Sequence, residues 1–297
     1  MYQASAAFHE AVRNGAPQIP LLVFSGRTVT DEDIDVDPGI EFDDNFNMEE
    51  NLAIGQAVSN EIRFTLFNDD GHLNEFPFGE FKAWLGAQIS GSATSDPDGM
   101  SFNDQTRMLT VRKAGYAAVY EMVPLGVFIA DRPNVPDQIR VSLTCFDRMQ
   151  KFDEDMPGAG AMGMTYPATI GTLFTKLCQS CGVPYKTATF INSGATIAKE
   201  PEQFENATKR EVLGWIAEAA GSIARFNRDG QLELAWVKST DQEVDESGYV
   251  EFKPYWYETK KVTKLHNRSS DGGYDNVVGS GTEAYLIQDN PLLEGVS

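Results

Sequence analysis

Apolar residues alternate with polar ones in several segments of the first half of the chain. Between residues 62 and 67, one face of an extended backbone carries only apolar side chains, namely Ile62, Phe64 and Leu66. The opposite face carries Arg63, Thr65 and Phe67. A period of two is typical of a strand that buries one face. The pattern therefore predicts a strand here, followed by a turn at Asn68–Gly71.

Four other segments in this half also have strand patterns. They read QIPLLVFSG, RMLTVRKAG, YAAVYEMVPLGVFIADR and DQIRVSLTCFD. One face of the last segment is formed by Ile139, Val141, Leu143 and Cys145. We therefore expect Cys145 to point into the core. Small and polar residues dominate Ser90–Gly99, and this composition predicts a loop.

Helical periodicity is clearest between Thr169 and Gly182. The apolar residues recur at intervals of three and four, which places them on one helical face: Ile170, Leu173, Phe174, Leu177, Cys178 and Cys181. Thr169 can cap the N-terminus of this helix, and Gly182 can end it. The N-terminal segment MYQASAAFHEAVRNG also predicts a short amphipathic helix, with Phe8, Ala11 and Val12 on one side.

Another helix is predicted to begin at the capping box Thr208-x-x-Glu211. Its apolar stripe consists of Val212, Ile216, Ala219, Ala220 and Ile223. The strand segments IARFN and QLELAWV then flank a hairpin turn at Arg228–Gly230. From Tyr249 onward, strand patterns return in YVEFKPYWYE, KVTKLHNRS, NVVGSG and EAYLIQ.

These elements predict a β-rich α+β fold in three parts. We expect an N-terminal β-rich domain over residues 1–155 and a small α+β domain, with two helices and a hairpin, over 165–240. A C-terminal β segment over 245–297 would complete the chain. The stretch MPGAGAMGM, between the first two parts, is predicted to be a linker. A length of 297 residues fits about two domains, or one with a large insertion.

Composition favours a protein with a substantial core and no membrane span. Hydrophobic residues make up 41% of the chain and aromatic residues 11%. No apolar run reaches the roughly 18 residues that a spanning helix needs. The N-terminus lacks the basic start and apolar centre of a secretory signal, so we expect synthesis in the cytoplasm.

The formal net charge of −20 argues against tight DNA binding. Proteins that grip DNA do so with clustered lysine and arginine, which neutralise phosphates and release counterions. An acidic surface can serve solubility alone, or it can repel DNA as the wall of a conduit would. The acidic segment Asp31–Glu50 is our candidate for such a wall, with a solvated outer loop as the alternative.

The pair Cys178-x-x-Cys181 could form a redox site, half of a zinc site, or part of an apolar helix face. A redox pair places its first thiol at a helix N-terminus, where the helix dipole stabilises thiolate. Here both thiols fall in the last turn and on the apolar stripe, which disfavours thiolate. A zinc site needs two further ligands, whereas the histidines are scattered at positions 9, 72 and 266. We therefore interpret both cysteines as packing residues.

The remaining motifs for catalysis and metal binding are also missing. The acidic run from Asp31 to Asp37 places Val36 or Pro38 where a calcium loop needs glycine. A solvated loop is thus favoured, and a loose divalent site is left open as the alternative. The chain has no Gly-x-Ser-x-Gly, His-Glu-x-x-His or Walker motif. We predict no enzyme activity and assign no catalytic, cofactor-binding or metal residues.

Three stretches resemble the tail hub proteins of long-tailed bacteriophages, a family that includes the N-terminal part of the tail-associated lysins. They are Glu50–Gly86, Val123–Asp153 and Thr208–Val237. The second contains a Leu-Gly-x-Phe strand and ends in Asp-x-Met-x-Lys-Phe-Asp, and the third joins the capped helix to an Asn-Arg-Asp-Gly hairpin. Ile287–Leu293 resembles the Asn-Pro element that follows a strand in this family.

The resemblance implies a homotrimeric ring at the tip of a virion tail, assembled in the cytoplasm of a bacterial host. Each subunit of such a hub contributes two tube-like β-barrel or sandwich domains, with a small α/β domain inserted. Tail tube and distal tail proteins are the implied partners, and DNA passes through without specific binding. Family members often continue past the Asn-Pro element into fibre or lysin regions, whereas this chain stops at Ser297. A second tube-like domain would then be incomplete, or built from interleaved N- and C-terminal strands.

The competing class is a cell-wall-targeting enzyme or a carbohydrate-binding module of a phage or prophage. Such a protein needs convergent carboxylates and aromatic side chains. The segment Glu251–Glu258 is the one aromatic cluster in the sequence that could stack on a sugar. At strand spacing its aromatic residues do not share one face, so core or interface packing is favoured.

Overall fold

The structure is a computed structural model, which describes residues 4–35, 37, 39–43, 54–68, 76–131, 139–235, 264–272, 275–280, 282 and 284–293. The helices are α1 (Ala6–Arg13), α2 (Ile170–Ser180) and α3 (Lys209–Ala219). The strands of the first half are β1 (Gln18–Phe24), β2 (Arg27–Val29), β3 (Glu41–Asp43), β4 (Glu61–Phe67), β5 (Gly79–Ala93), β6 (Gly99–Asn103), β7 (Met108–Lys113), β8 (Tyr116–Ala130) and β9 (Arg140–Asp147). Those of the second half are β10 (Ala168–Thr169), β11 (Thr196–Ile197), β12 (Ile223–Phe226), β13 (Leu232–Ala235), β14 (Lys264–Arg268), β15 (Asp275–Gly279) and β16 (Ala284–Gln288). The fold is a β-rich α+β fold, as the sequence predicted.

By its internal contacts the chain divides into two compact units. The first unit comprises Met1–Phe46, Val58–Phe152 and Arg225–Leu232. The second unit comprises Asn47–Ala57, Asp153–Ala224 and Glu233–Ser297. Both units are therefore assembled from segments that are distant in sequence.

The first unit is built on a nine-stranded antiparallel sheet. Its main path runs in the order β2-β1-β5-β8-β9-β4-β3, and β7 and β6 extend it from the side of β8. Strands β5 and β8 are each 15 residues long and pair along their whole length. This ladder explains why Ser90–Ala93, predicted to be a loop, lie in a strand. Pairing with Tyr116–Val119 overrides their composition.

Each face of this sheet carries an apolar cluster. The larger cluster includes Phe24, Phe64, Phe81, Phe128 and Cys145, and the smaller one comprises Ile19, Leu21, Trp84, Leu109 and Met122. The predicted alternation in β4 and β9 is confirmed, because Ile62, Phe64 and Leu66 are buried, as are Val141, Leu143 and Cys145. Ile139 is an exception: it precedes β9 and is exposed.

The sheet coils so that β6 approaches β5. In the strand order these two are separated by β8 and β7, which in a flat sheet would place them about 14 Å apart. The rings of Trp84 and Phe102 are nevertheless only 5.3 Å apart, centroid to centroid. Lys82 Nζ also lies 2.8 Å from the carboxylate of Asp104, immediately after β6.

The other end of the sheet curls around the larger cluster. Phe64 on β4 lies 5.8 Å from Phe81 on β5, ring to ring. The segment after β2 reaches β4 through a single bridge between Ile34 and Leu66. Among the described residues β2 does not pair with β3 or β4, so no continuous ladder closes a barrel.

In the second unit both predicted helix caps are present. Thr169 Oγ1 accepts a hydrogen bond from Thr172 N at the start of α2. The C-terminus of α2 ends in a Schellman motif, in which Val183 N donates to Cys178 O at 3.0 Å and Gly182 N donates to Gln179 O at 3.1 Å. Gly182 has a φ of +62°, which this motif requires and glycine adopts without strain.

The helix α3 begins at the predicted capping box, with Thr208 and Glu211 bonding each other's backbone amides. The residues of the predicted apolar stripe are all buried: Val212, Ile216, Ala219, Ala220 and Ile223. The helix is shorter than this stripe, because it ends at Ala219, Ala220 is its C-cap and Ile223 begins β12. The predicted linker at Met156–Met164 is instead a packed turn region, because its methionines Met156, Met162 and Met164 are buried. Several turns hold this region, such as Met164 N bonded to Ala159 O.

The C-terminal strands form a separate sheet in the order β15-β14-β16. Strand β14 pairs antiparallel with β15 and parallel with β16. The three strands match the segments KVTKLHNRS, NVVGSG and EAYLIQ that the sequence predicted. The predicted turn at Asn68–Gly71 and the predicted strand YVEFKPYWYE lie largely or wholly outside the described residues.

Candidate interaction surfaces

The buried cysteines are packing residues, as predicted. Burial raises the pKa of the Cys145 thiol to about 12 and also raises the pKa of Cys178. Both side chains are fully buried. Cys181 departs from the prediction: it is the C-cap residue of α2 and is only partly buried, because the helix ends at Ser180. Raised pKa values and burial make the Cys145 and Cys178 thiols poor nucleophiles and poor metal ligands.

The described part of the chain brings together no group of three histidine, cysteine, aspartate or glutamate residues that could hold a metal ion. His266 instead pairs with Asp275 at 2.6 Å. Within the acidic segment Asp31–Glu50, several carboxylates form ion pairs inside the first unit, namely those of Glu32, Asp33, Asp35, Glu41 and Asp43. Asp33 pairs with Arg27 at 3.5 Å, and the buried Asp35 pairs with Arg140 at 3.1 Å.

The buried carboxylate of Asp147 is also committed to structure. Its oxygens accept hydrogen bonds from Ser59 Oγ, Asn60 N and Met149 N, each at 2.9 Å. These bonds tie the end of β9 to the residues before β4. A carboxylate that accepts three hydrogen bonds from the protein holds the backbone in place, and it is a poor general base.

A hollow of about 350 Å³ lies beside the N-terminus of α2. Hydroxyl groups and Lys176 line it, but the helix amides that could bind an anion are occupied. Gly171 N donates to Ser193 O at 2.8 Å, and Thr172 N donates to Thr169 Oγ1 at 3.1 Å. The hollow therefore lacks the free donors of an anion site.

Strand β6 is an exposed sheet edge in the first unit. It pairs with β7 on one side and has no partner strand on the other among the described residues. Its sequence, GMSFN, contains no charged residue and no proline, and Met100 is 42% exposed. Edges of this kind can be extended by a strand of another chain.

The sequence did not predict β6. Its position directly after a segment rich in serine, glycine and aspartate concealed it. The usable signal was the alternation of Met100 and Phe102 with small polar residues, ahead of the strand RMLTVRKAG. Both other free ends of the sheet carry charge in their strands, Arg27 in β2 and Glu41 and Asp43 in β3.

None of the helices in the described ranges is both long enough and apolar enough to cross a membrane.

The searches against family models and against curated proteins found no match. Among solved structures, the chain is similar to the 43 kDa tail protein of prophage MuSo2 from Shewanella oneidensis, with 13% identity over 92% of this chain and 72% of that one, at a TM-score of 0.41. It is also similar to a tail protein from Neisseria meningitidis MC58, with 11% identity over 93% of this chain and 73% of that one, at a TM-score of 0.42. Both TM-scores are below 0.5, so the functional proposal rests on the chain's own residues.

Proposed function

We propose that this chain is a structural subunit of a bacteriophage or prophage tail, and that three copies form a hub ring at the tail tip. In this role the ring caps the tail tube, contacts tail tube and distal tail proteins, and lets DNA pass. The subunit assembles in the bacterial host cytoplasm and acts in the virion tail. Support comes from the order of the three stretches Glu50–Gly86, Val123–Asp153 and Thr208–Val237.

The observation that carries the proposal is the free, uncharged edge of β6 on a strongly coiled antiparallel sheet. Proteins that act alone usually protect such edges with lysine, proline or a bulge. An assembly protein benefits from leaving one open, because a neighbouring strand can add to it through backbone hydrogen bonds. We infer that β6 receives a strand from a neighbouring tail protein.

The finer architecture is part of the same proposal. We infer two tube-like β domains per subunit, with the small α/β domain over residues 165–240 inserted and segments 1–155 and 245–297 on either side of it. The coiling that brings Phe102 to Trp84, together with the bridge from Ile34 to Leu66, fits a tube-like first domain. Three subunits would then present six such domains to a six-fold tail tube.

A conduit for DNA must not retain it. The chain carries 44 acidic and 24 basic residues, so its average surface repels phosphate. A basic wall would instead hold DNA with an affinity that falls steeply as salt rises. We propose that the inner wall of the ring carries more acidic than basic side chains, and that the chain has no enzyme activity.

The test combines solution mass, imaging and binding. We expect a trimer at micromolar concentration and a ring whose central hole admits a DNA duplex, on the order of 20 Å or more across. We also expect no DNA binding at moderate salt. A stable monomer that binds duplex DNA would overturn the hub. Cleavage of peptidoglycan, or capture on a glycan array, would favour the alternative of a cell-wall enzyme or carbohydrate-binding module.

A further inference from the structure

The outer face of the C-terminal sheet carries two basic side chains of the central strand and a net positive charge. Alternate residues of the central strand β14 point to one side, and on this side they are Lys264, His266 and Arg268. Asp275 on β15 lies on the same side, opposite Arg268 and 2.6 Å from His266. With histidine neutral, Lys264 and Arg268 against Asp275 leave these residues a net charge of +1, in a chain whose net charge is −20. We call this side of the β15-β14-β16 sheet the basic face.

Apolar side chains flank the charges on the basic face. His266 lies directly opposite Val277 on β15 and Leu286 on β16, so the three form a row across the sheet. Val277 is 50% exposed and Leu286 is 42% exposed. The reverse side of the sheet is already covered, since Ile287 is buried and the Tyr285 hydroxyl bonds to Ile54 O. The basic face is thus the open side of this sheet.

A face of opposite charge lies on β3, β4 and β9 in the first unit. Glu41 and Arg63 are cross-strand neighbours, and Asp43 and Glu61 form the next pair. Arg63 interacts with all three carboxylates, at 3.6 Å from Glu41, 3.6 Å from Asp43 and 2.5 Å from Glu61. Three carboxylates around one guanidinium leave a net charge of −2.

This acidic face also carries an exposed apolar side chain. Phe146 on β9 lies directly opposite Glu61 and is 41% exposed. Each of the two faces therefore combines a net charge of one sign with exposed apolar side chains beside it.

We propose that the basic face of one copy docks on the acidic face of the next copy. Copies with a net charge of −20 repel one another, so a contact between them is favoured where opposite charges meet. Here Lys264 and Arg268 meet the carboxylates of Glu41, Asp43 and Glu61, while Val277 and Leu286 meet Phe146. The exposed apolar residues argue against a nucleic acid as the ligand of the basic face, because a phosphate backbone offers them no apolar partner.

Such a contact is heterologous, since it joins two different surfaces. Heterologous contacts build closed rings when their rotation closes, and open fibres when it does not. The inference rests on the proposed hub and names the surfaces through which its copies meet. It is independent of the β6 edge, which serves a different neighbour.

A double-mutant cycle of charge reversals tests whether the basic face and the acidic face contact each other. The variant Lys264→Glu/Arg268→Glu reverses the basic face, and Glu41→Lys/Asp43→Lys reverses the acidic face. Each should weaken self-association roughly tenfold or more, because like charges then meet. The combined variant with all four changes should recover most of the loss, since opposite charges meet again. Self-association is read by sedimentation, and folding by circular dichroism.

Two controls separate the outcomes. Lys199→Glu makes the same change at an exposed lysine outside both faces and should leave self-association unchanged. The neutral variant Glu41→Gln/Asp43→Asn tests the acidic face without placing lysines beside Arg63, and it should weaken association less than reversal does. If the wild-type chain forms trimers that neither reversal weakens, the docking inference fails and the hub proposal stands. If the wild-type chain is a monomer, both fail.

Discussion

The side-chain amide of Asn290 donates a hydrogen bond to the carboxylate of Glu218 at 2.8 Å in the second unit. The same amide donates to Trp215 O at 3.0 Å, and Asn290 Oδ1 accepts from Leu292 N. Asn290 has no exposed surface, and the following Leu292 and Leu293 are also buried. The Asn-Pro element thus fastens the end of the C-terminal sheet to α3.

We expect Asn290→Ala to lower the free energy of unfolding by about 1–3 kcal/mol. The change leaves buried polar groups of Trp215 and Leu292 without their partner. Denaturant unfolding followed by circular dichroism measures the loss. The exposed Asn206→Ala is the control and should change the free energy of unfolding by less than about 0.5 kcal/mol. Equal effects of the two variants would contradict an anchoring role for Asn290.

Glu218 should make the stability of the chain depend on pH. Burial raises the pKa of Glu218, so the folded state binds a proton more readily than the unfolded state does. The stabilisation is complete below the ordinary pKa of glutamate and is lost as the pH rises through the raised value. The variant Glu218→Gln keeps an acceptor for Asn290 but cannot ionise.

We therefore expect Glu218→Gln to flatten the fall in stability that sets in as the pH rises above the ordinary pKa of glutamate, about 4.3. The free energy of unfolding, measured at several pH values for both proteins, checks this. The exposed Glu205→Gln should reproduce the wild-type slope. A Glu218→Gln protein with an unchanged slope would show that Glu218 titrates normally.

The helix cap at Thr208 should contribute measurably to the free energy of unfolding. Thr208 Oγ1 accepts from Glu211 N at 3.2 Å, and Glu211 Oε2 accepts from Thr208 N at 2.7 Å. Thr208→Ala should cost about 0.5–2 kcal/mol. Glu211→Ala should cost less, and the double variant less than the sum of the two, because the groups act together. Thermal melts check this, with the exposed Thr189→Ala as control.

The cysteines of α2 should differ from each other. Cys178 is fully buried, whereas Cys181 caps the helix and is partly exposed. Cys178→Ala should therefore account for most of the roughly 1–3 kcal/mol that the double alanine variant loses through reduced burial. Assembly should be unaffected. Zinc found by elemental analysis of the wild-type protein, or rapid reaction of Cys178 with a thiol reagent, would contradict this assignment.

Local patterns in the sequence predicted those elements whose signal lies within the element itself. The period of two in β4 and β9 and the caps at Thr169 and Thr208 are of this kind, because a strand face or a helix start depends on neighbouring residues. Ser90–Ala93 were predicted wrongly, since their strand exists only through a ladder with residues some 25 positions away. The composition of residues 90–93 carries no information about a partner strand so far away in the sequence.

The candidate surfaces were harder to predict for the same reason. The basic face depends on β14 lying between β15 and β16, and the parallel pairing with β16 has no signature in a short strand. The alternation Lys264-x-His266-x-Arg268 was readable, but nothing in the sequence says that the opposite side of the sheet, which carries the buried Ile287, is covered. The acidic face likewise depends on β3 pairing with β4 in the register that joins Glu41 to Arg63.

The open edge of β6 predicts a specific pattern of amide protection. In the free subunit, amides of Gly99–Asn103 that point away from β7 should exchange rapidly, while those of Met108–Lys113, which pair on both sides, should be protected. When the sheet is extended by a neighbouring tail protein, the β6 amides should become protected as well. Hydrogen exchange of the isolated chain and of assembled tails measures the difference.

Variants sharpen this prediction. Met100→Lys places a charge on the free edge and should block addition of a strand, as lysine does on natural edge strands. Thr110→Lys puts the same residue on β7, which is paired by β6 and β8, and should leave assembly intact. Incorporation of each variant into tails gives the comparison. If Met100→Lys assembles as well as Thr110→Lys, and the β6 amides exchange equally fast in assembled tails, then β6 is not the edge through which the sheet is continued.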